Sequence, residues 1–244
     1  MVAPRRICWF SCGACSAVAA RLTIARHGRD GVVLAYCDTS ASEHPDNLRF
    51  RVDVEKWLGI KVTVLSSTKY RTVEQVFEAM SYMSGVRGAP CTVQLKKIPR
   101  FDFQRPDDIH IFGFASDELR RIDLFSKNNH DLSLEWPLLD AGVTRDGALG
   151  IVMAAGIKLP AMYRLGYRNN NCLGCVKATS PDYWNKIRVD FPEVFNRRVE
   201  QSRKLGVRLV QISGKRIFLD ELSPNVVDSV DEDLSCGPQC GTHG

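Results

Sequence analysis

The first half of the chain repeats one pattern. A short apolar run gives way to a turn of small or polar residues, and then to a stretch in which apolar residues recur at helical spacing. Arg6–Phe10 is the first such run and predicts a strand, with Ser11–Ser16 as a tight loop and Ala17–His27 as a helix. Val32–Tyr36 predicts a second strand ending at Cys37-Asp38-Thr39, and Pro45 opens a helix to Leu58. Lys61–Leu65, a helix over Thr72–Met80, the strand Ile109–Phe112 and a helix from Ser116 to Lys127 continue the series, with a long loop expected through Gly85–Arg105. Strands alternating with helices predict an α/β fold, a parallel twisted sheet with helices on both faces. Such sheets bind ligands outside the carboxyl ends of the strands, where strand order reverses, and the Ser11–Ser16 loop, Asp38-Thr39 and Gly113 are expected on that edge.

From Thr144 the pattern turns helical, with Gly147–Ala155, Tyr183–Val189 and Phe191–Lys204 as candidates. Val207–Ile212 and Arg216–Leu219, joined through Ser213-Gly214-Lys215, read as a hairpin. The expected division is an α/β domain over residues 1–143, a helical and hairpin region packed on it over 144–222, and an acidic, cysteine-containing tail over 223–244.

A net charge of +5 makes anionic ligands easier to accommodate than cationic ones, yet no block of like charge is long enough to act as a nucleic-acid-binding tail. No run of about 20 apolar residues and no signal peptide is evident, so a soluble cytoplasmic protein without a membrane partner is expected. Nine cysteines, in a compartment that keeps thiols reduced, suggest metal binding or redox chemistry before disulfides.

Two local patterns carry chemistry by themselves. The Ser11–Ser16 loop between a strand and a helix aims backbone amides and the helix dipole at one point, which suits a phosphate; its bland alternative is a small-residue turn that packs helix on strand. Cys172-Leu173-Gly174-Cys175 can present two thiolates to an iron-sulfur cluster or to zinc, and a dithiol redox pair is the third option. Trp136, Tyr163, Tyr167 and Trp184 read as core or pocket wall.

These elements, in order and spacing, resemble the phosphoadenosine phosphosulfate reductase family over most of residues 6–190, particularly short bacterial and phage members. Ser11, Gly13 and Ser16 match the Ser-Gly-Gly-x-Asp-Ser phosphate loop of the adenine-nucleotide hydrolase-like fold; Cys12 replaces a glycine and Cys15 the aspartate. Asp38-Thr39 and Glu43-His44-Pro45-Asp46-Asn47 resemble the family's second strand end. Cys91-Thr92-x-x-x-Lys96-x-x-Pro99 resembles its Cys-Cys-x-x-Arg-Lys-x-x-Pro element, with Thr92 on the second cysteine. Gln239-Cys240-Gly241-Thr242-His243 resembles the Glu-Cys-Gly-Leu-His tail.

The resemblance implies an enzyme of sulfur metabolism that binds an adenine nucleotide through Ser11, Gly13, Ser16, Asp38, Lys96 and Arg120. It implies a four-iron four-sulfur cluster on Cys91, Cys172 and Cys175; either Cys236 completes the set, with Cys240 as catalytic nucleophile, or one iron stays open to bind a sulfur species, and Lys96 is the catalytic cation. Lys97, Arg100 and Arg87 extend the basic patch, Arg121 shares the position of Arg120, and a thioredoxin-like protein is the implied reductant. Each assignment has a plainer counterpart: turn-capping for Asp38 and Asp46, a solvated loop for Lys96, and a Ser116-capped helix start around Arg120. Two other readings stand beside the reductase. One is a cluster-containing sulfurtransferase that uses ATP to thiolate a nucleobase, the only reading with a nucleic-acid partner, which lacks a loop aspartate here. The other is a non-catalytic module holding zinc and nucleotide.

Overall fold

The computed structural model describes residues 4–85 and 88–226. β1 (Arg6–Trp9) leads into α1 (Ala14–His27), β2 (Val32–Cys37) into α2 (Asp46–Leu58), and β3 (Val62–Leu65) into α3 (Val73–Met80). A helical stretch follows: α4 (Pro90–Thr92), a π-helical turn over Val93–Lys97, and α5 (Ile98–Phe103). β4 (Ile109–Phe112), α6 (Leu119–Asn128), β5 (Ser133–Glu135), α7 (Pro137–Asp140) and α8 (Arg145–Ala154) complete the sheet and its cover. Last come α9 (Ala161–Arg164), α10 (Pro181–Asp190), α11 (Pro192–Lys204) and the hairpin of β6 (Val210–Ile212) and β7 (Lys215–Ile217).

The main sheet has five strands, all parallel, in the order β3-β2-β1-β4-β5. The α/β architecture expected from the alternation of strands and helices is the one observed. Because successive side chains on a strand point to opposite faces, the apolar runs supply both layers of core. Cys8, Phe10, Leu34, Tyr36 and Ile111 pack with α1, α2 and α8 on one face, and Ile7, Trp9, Ala35, Cys37 and Phe112 pack with Ile122 and Phe125 of α6 on the other. Trp136 joins that second layer. The chain runs outward from β1 to β2 and β3 on one side, then returns to lay β4 against the other side of β1. The loops after β1 and β4 therefore part, and the crevice between them is where such sheets bind ligands.

A third cluster gathers Val76 and Phe77 of α3 with Trp184, Ile187, Phe195, Leu209 and Val210; Tyr167 lies in it too. Packing crosses residue 143 in both directions. Ala148 and Val152 of α8 belong to the sheet's core, whereas α3 belongs to the core of the later helices. Each large aliphatic or phenyl side chain buried in these layers contributes about 1.5–3 kcal/mol of transfer free energy.

β5, α7 and α9 were not expected, and two expected segments differ. The segment Gly85–Arg105, expected as a loop, is helical from Pro90 to Phe103. Pro90 lies at the first position of α4, where the missing amide costs no intrahelical bond, whereas Pro99 sits inside the continuous helical stretch, just after its π-helical turn. The turn before Pro99 widens to π geometry, with the Ile98 amide donating to the Val93 carbonyl. The helix expected from Ser116 starts at Leu119, and the Ser116 amide donates to the Val143 carbonyl at 2.9 Å. Among the described residues no helix is long and apolar enough to cross a membrane.

Candidate functional site

The loop after β1 is closed by its own hydroxyls. Ser16 Oγ donates to the Gly13 carbonyl at 2.9 Å and accepts from the Ser11 amide at 3.1 Å, with Ser11 Oγ 3.3 Å away. Gly13 caps α1 without a side-chain bond, and no acidic residue occupies the first turn, so the positive end of a 14-residue helix faces the crevice without an internal counter-charge. The end of β4 runs hard against this turn: a Cβ on Gly113 would lie 2.6 Å from the backbone of Ser16. Tyr163 walls the other side, its hydroxyl 3.2 Å from where a Gly13 Cβ would be.

Cys12 adopts a left-handed backbone with φ of 56°, the conformation glycine takes most easily. Its carbonyl accepts from Asn170 Nδ2 at 2.7 Å, and that same amide donates to Asn47 Oδ1 at 2.8 Å. Asn47 Nδ2 donates in turn to Glu43 Oε2 at 2.9 Å, and Glu43 also accepts from Tyr36 Oη at 3.0 Å and Thr39 Oγ1 at 2.5 Å. Glu43, Asn47, Thr39 and Asn170 are all buried, so the end of β2, the start of α2, the loop and the segment preceding Cys172 are fixed to one another by a buried polar network, in which Asn170 Oδ1 alone has no hydrogen-bond partner among the described residues.

Asp38, expected to meet the nucleoside, accepts from the amide and hydroxyl of Ser40 at 3.1 and 2.6 Å and from Ser66 Oγ at 3.3 Å. It caps its own turn. Asp46 accepts from Arg49 and Arg164. The Arg49 hydrogen bond comes first among the causes that hold its carboxyl well below the usual range, against the opposing effect of burial.

Lys96 lies on the π-helical turn, and both it and Arg100 are buried, at 7% and 3% exposure, rather than spread on a solvated loop. Cys37 Sγ donates to the Lys96 carbonyl at 3.4 Å. Burial pushes the Cys37 thiol up to about 11, with Lys96 and Arg100 pulling against it. Lys96 acts on Cys12 in the same sense, behind burial and Glu43, which raise that thiol, and Arg51, which lowers it. Burial also raises Cys15 to about 11 and Cys12 well above the ordinary thiol value, which favours the protonated thiol at both.

Cys91, Cys172 and Cys175, drawn from segments far apart in the chain, line one pocket with Val73, Phe77, Val176 and Arg198. Positive φ at Gly174 lets the Cys172–Cys175 turn fold back on itself, and α11 presses on it, with Val194 2.8 Å from where a Gly174 Cβ would be. Arg198 Nε donates to the Gly174 carbonyl at 3.0 Å, while Arg198 Nη1 reaches Glu74 at 2.8 Å and Gln201 at 2.6 Å. Tyr183 Oη accepts from the Cys175 amide at 2.8 Å. Among the described residues no group of three His, Cys, Asp or Glu stands close enough to hold a single ion. Zinc would draw sulfur ligands to about 2.3 Å. The pocket that the three cysteines and Arg198 line encloses about 20 Å3 among the described residues, room for about one water molecule, so a multi-iron cluster would need its walls to part. Thr92, in the expected register of a fourth cysteine, is buried, and its Oγ1 has no hydrogen-bond partner among the described residues.

Arg120 is exposed in the first turn of α6, and Arg121 beside it pairs with Glu118 and covers the Phe114 ring. Cys236, Cys240 and Arg87 lie outside the described residues. Sequence reasoning missed Arg198 and assigned no role to Asn170, although Asn170 stands inside the Asn169-Asn170-Asn171-Cys172 run. Comparison of the chain with protein-family models gives no match, and no curated protein matches it.

Proposed function

We propose that this chain is a sulfonucleotide reductase, which cleaves an adenylylated sulfate to sulfite and an adenosine phosphate. The observation that carries this reading is the bond from Asn170 to Cys12, which couples a phosphate-type loop at the switch point of a parallel sheet to a pocket of three cysteines. The nucleotide phosphates meet the α1 N-terminus and the Ser11–Ser16 loop, a turn on which the absence of a Cβ at Gly113 lets β4 close. Lys96 offsets charge as the phosphate leaves.

Cys240 is the proposed nucleophile. Its thiolate attacks the sulfonate sulfur; an S–S bond forms, the S–O bond to the nucleotide breaks, and the adenosine phosphate departs with the electron pair. A thioredoxin-like dithiol then attacks the Cys240 sulfur, releases sulfite and ends as a disulfide. Cys91, Cys172, Cys175 and, from the tail, Cys236 would hold a four-iron four-sulfur cluster. Bound there, it would supply a redox-capable centre whose potential responds to the nearby charge of Arg198.

Anaerobic purification with iron and sulfide analysis, followed by assay of sulfite release from both sulfonucleotides with thioredoxin, tests the reading. Expected are about four irons per chain, loss of iron in Cys172→Ser, and loss of sulfite release with retained iron in Cys240→Ser. A protein that takes up only zinc, or that releases no sulfite when fully iron-loaded, overturns it.

A further inference from the structure

Arg198 lines the cysteine pocket and joins its two walls. One wall is α3, with Val73 and Phe77 facing the pocket; the other is the Cys172–Cys175 turn. From α11 the guanidinium reaches both, through Nε to the Gly174 carbonyl at 3.0 Å and through Nη1 to Glu74 at 2.8 Å, and it lies 5.5 Å from the centroid of the Phe77 ring. These partners are 24 and 124 residues away in the chain, and the side chain is 2% exposed. Arg198 is therefore a cross-link inside the fold.

A planar, rigid fork makes both bonds at once only while turn and helix keep this spacing. The turn is also bonded away from α11: the Cys175 amide donates to Tyr183 Oη, and the Leu173 amide to the Ser42 carbonyl, each at 2.8 Å. Release of Arg198 thus loosens the α3 and α11 side while those bonds keep the turn in place. Apolar side chains often replace a buried ion pair without loss of stability, so a wall that only had to pack has no need of a buried arginine. A guanidinium differs from an apolar filler in that water can take over its bonds when the wall opens.

We propose that Arg198 is a strap that holds the cysteine pocket shut, so that whatever loads the three cysteines enters only after the guanidinium lets go of Gly174 and Glu74. With room for about one water molecule, the closed pocket excludes anything larger. The strap does not rest on the reductase reading.

The test uses the full chain, kept reduced and freed of metal by a chelator, and follows alkylation by iodoacetamide at each cysteine through peptide mass spectrometry. Cys172 and Cys175, 8% and 7% exposed, are expected to react slowly in the wild type. In Arg198→Lys, which keeps the positive charge beside the thiols but loses the fork, they are expected to react about tenfold faster, the contribution of one charge-assisted hydrogen bond to a local opening. Glu74→Gln is expected to accelerate them in the same direction, and it carries the comparison if the lysine variant does not fold. Cys8 and Cys37, buried in the two core layers of the sheet, are the internal reference and are expected to keep their wild-type rates. Unchanged rates at Cys172 and Cys175 overturn the proposal. So does equal acceleration at Cys8 and Cys37, which would report a loss of overall stability, and so does a wild type in which the pocket cysteines already react as fast as in the variants. No arm measures sulfite release, so failure of the strap and failure of the reductase reading are seen separately.

Discussion

Asn170 donates its side-chain amide to the carbonyl of Cys12, 158 residues earlier in the chain, across 2.7 Å of buried structure. Cys12 needs that anchor because it holds a backbone conformation disfavoured for a residue with a Cβ. Replacing Asn170 with Ala leaves the Cys12 carbonyl and Asn47 Oδ1 buried without this donor. The expected cost is about 1–3 kcal/mol in urea unfolding, together with weaker adenine-nucleotide binding measured by calorimetry. An unchanged unfolding midpoint would show that the network does not hold the loop.

Gly113→Ala tests the junction of β4 with α1. The added methyl meets Ser16 N and Cα at 2.6 Å, both backbone atoms that cannot swing aside. Forced shifts of this kind cost about 1–3 kcal/mol. Thermal unfolding is expected to fall accordingly, and nucleotide affinity with it, whereas Gly150→Ala, which meets nothing within 4 Å, is expected to leave both unchanged or slightly improved.

His110 gives the fold an acid limit. Trp9 Nε1 donates to His110 Nδ1 at 3.0 Å, which requires a neutral ring. Burial first, then the charge of Arg100, lowers its pKa from 6.5 to about 4. Since the folded value lies below the unfolded one, the stability it contributes is present above pH 6.5 and is lost as pH falls through about 4. His110→Gln is expected to flatten the decline of stability between those limits, read from urea midpoints across pH; a decline identical to wild type would assign it to other groups.

Arg198 and Glu74 form a largely buried pair beside the cysteines, with side-chain exposures of 2% and 23%. Burial raises the Glu74 carboxyl, but Arg198, a backbone amide and Arg197 together outweigh it and the net shift is downward. Arg198→Met removes one partner of a buried pair, for which losses of about 3–5 kcal/mol are usual. Glu74→Gln/Arg198→Met is expected to recover part of that loss in a double-mutant cycle. Strict additivity would mean the two side chains do not interact.

The sheet was legible because each of β1, β2 and β4 is an apolar run bounded by turn residues, and a buried parallel strand must be apolar on both faces. β5 was not, since Ser133-Leu134-Glu135 offers a single apolar side chain at the edge of the sheet. The Pro90–Phe103 helices were hidden by prolines, which mark helix starts as readily as loops. The cysteines could be singled out by type and spacing. Arg198 could not: in Arg197-Arg198-Val199-Glu200 it is one charge among several on an outwardly ordinary amphipathic helix, and only the fold turns it inward.

α8 returns to cover α1 after the chain has left the sheet, and α3 departs from the sheet to join helices that are made last. Each half thus lends one helix to the other's interior. Neither half can be exchanged, trimmed or inherited alone without stripping a face from its neighbour, so the crevice and the cysteine pocket must evolve as a single heritable unit.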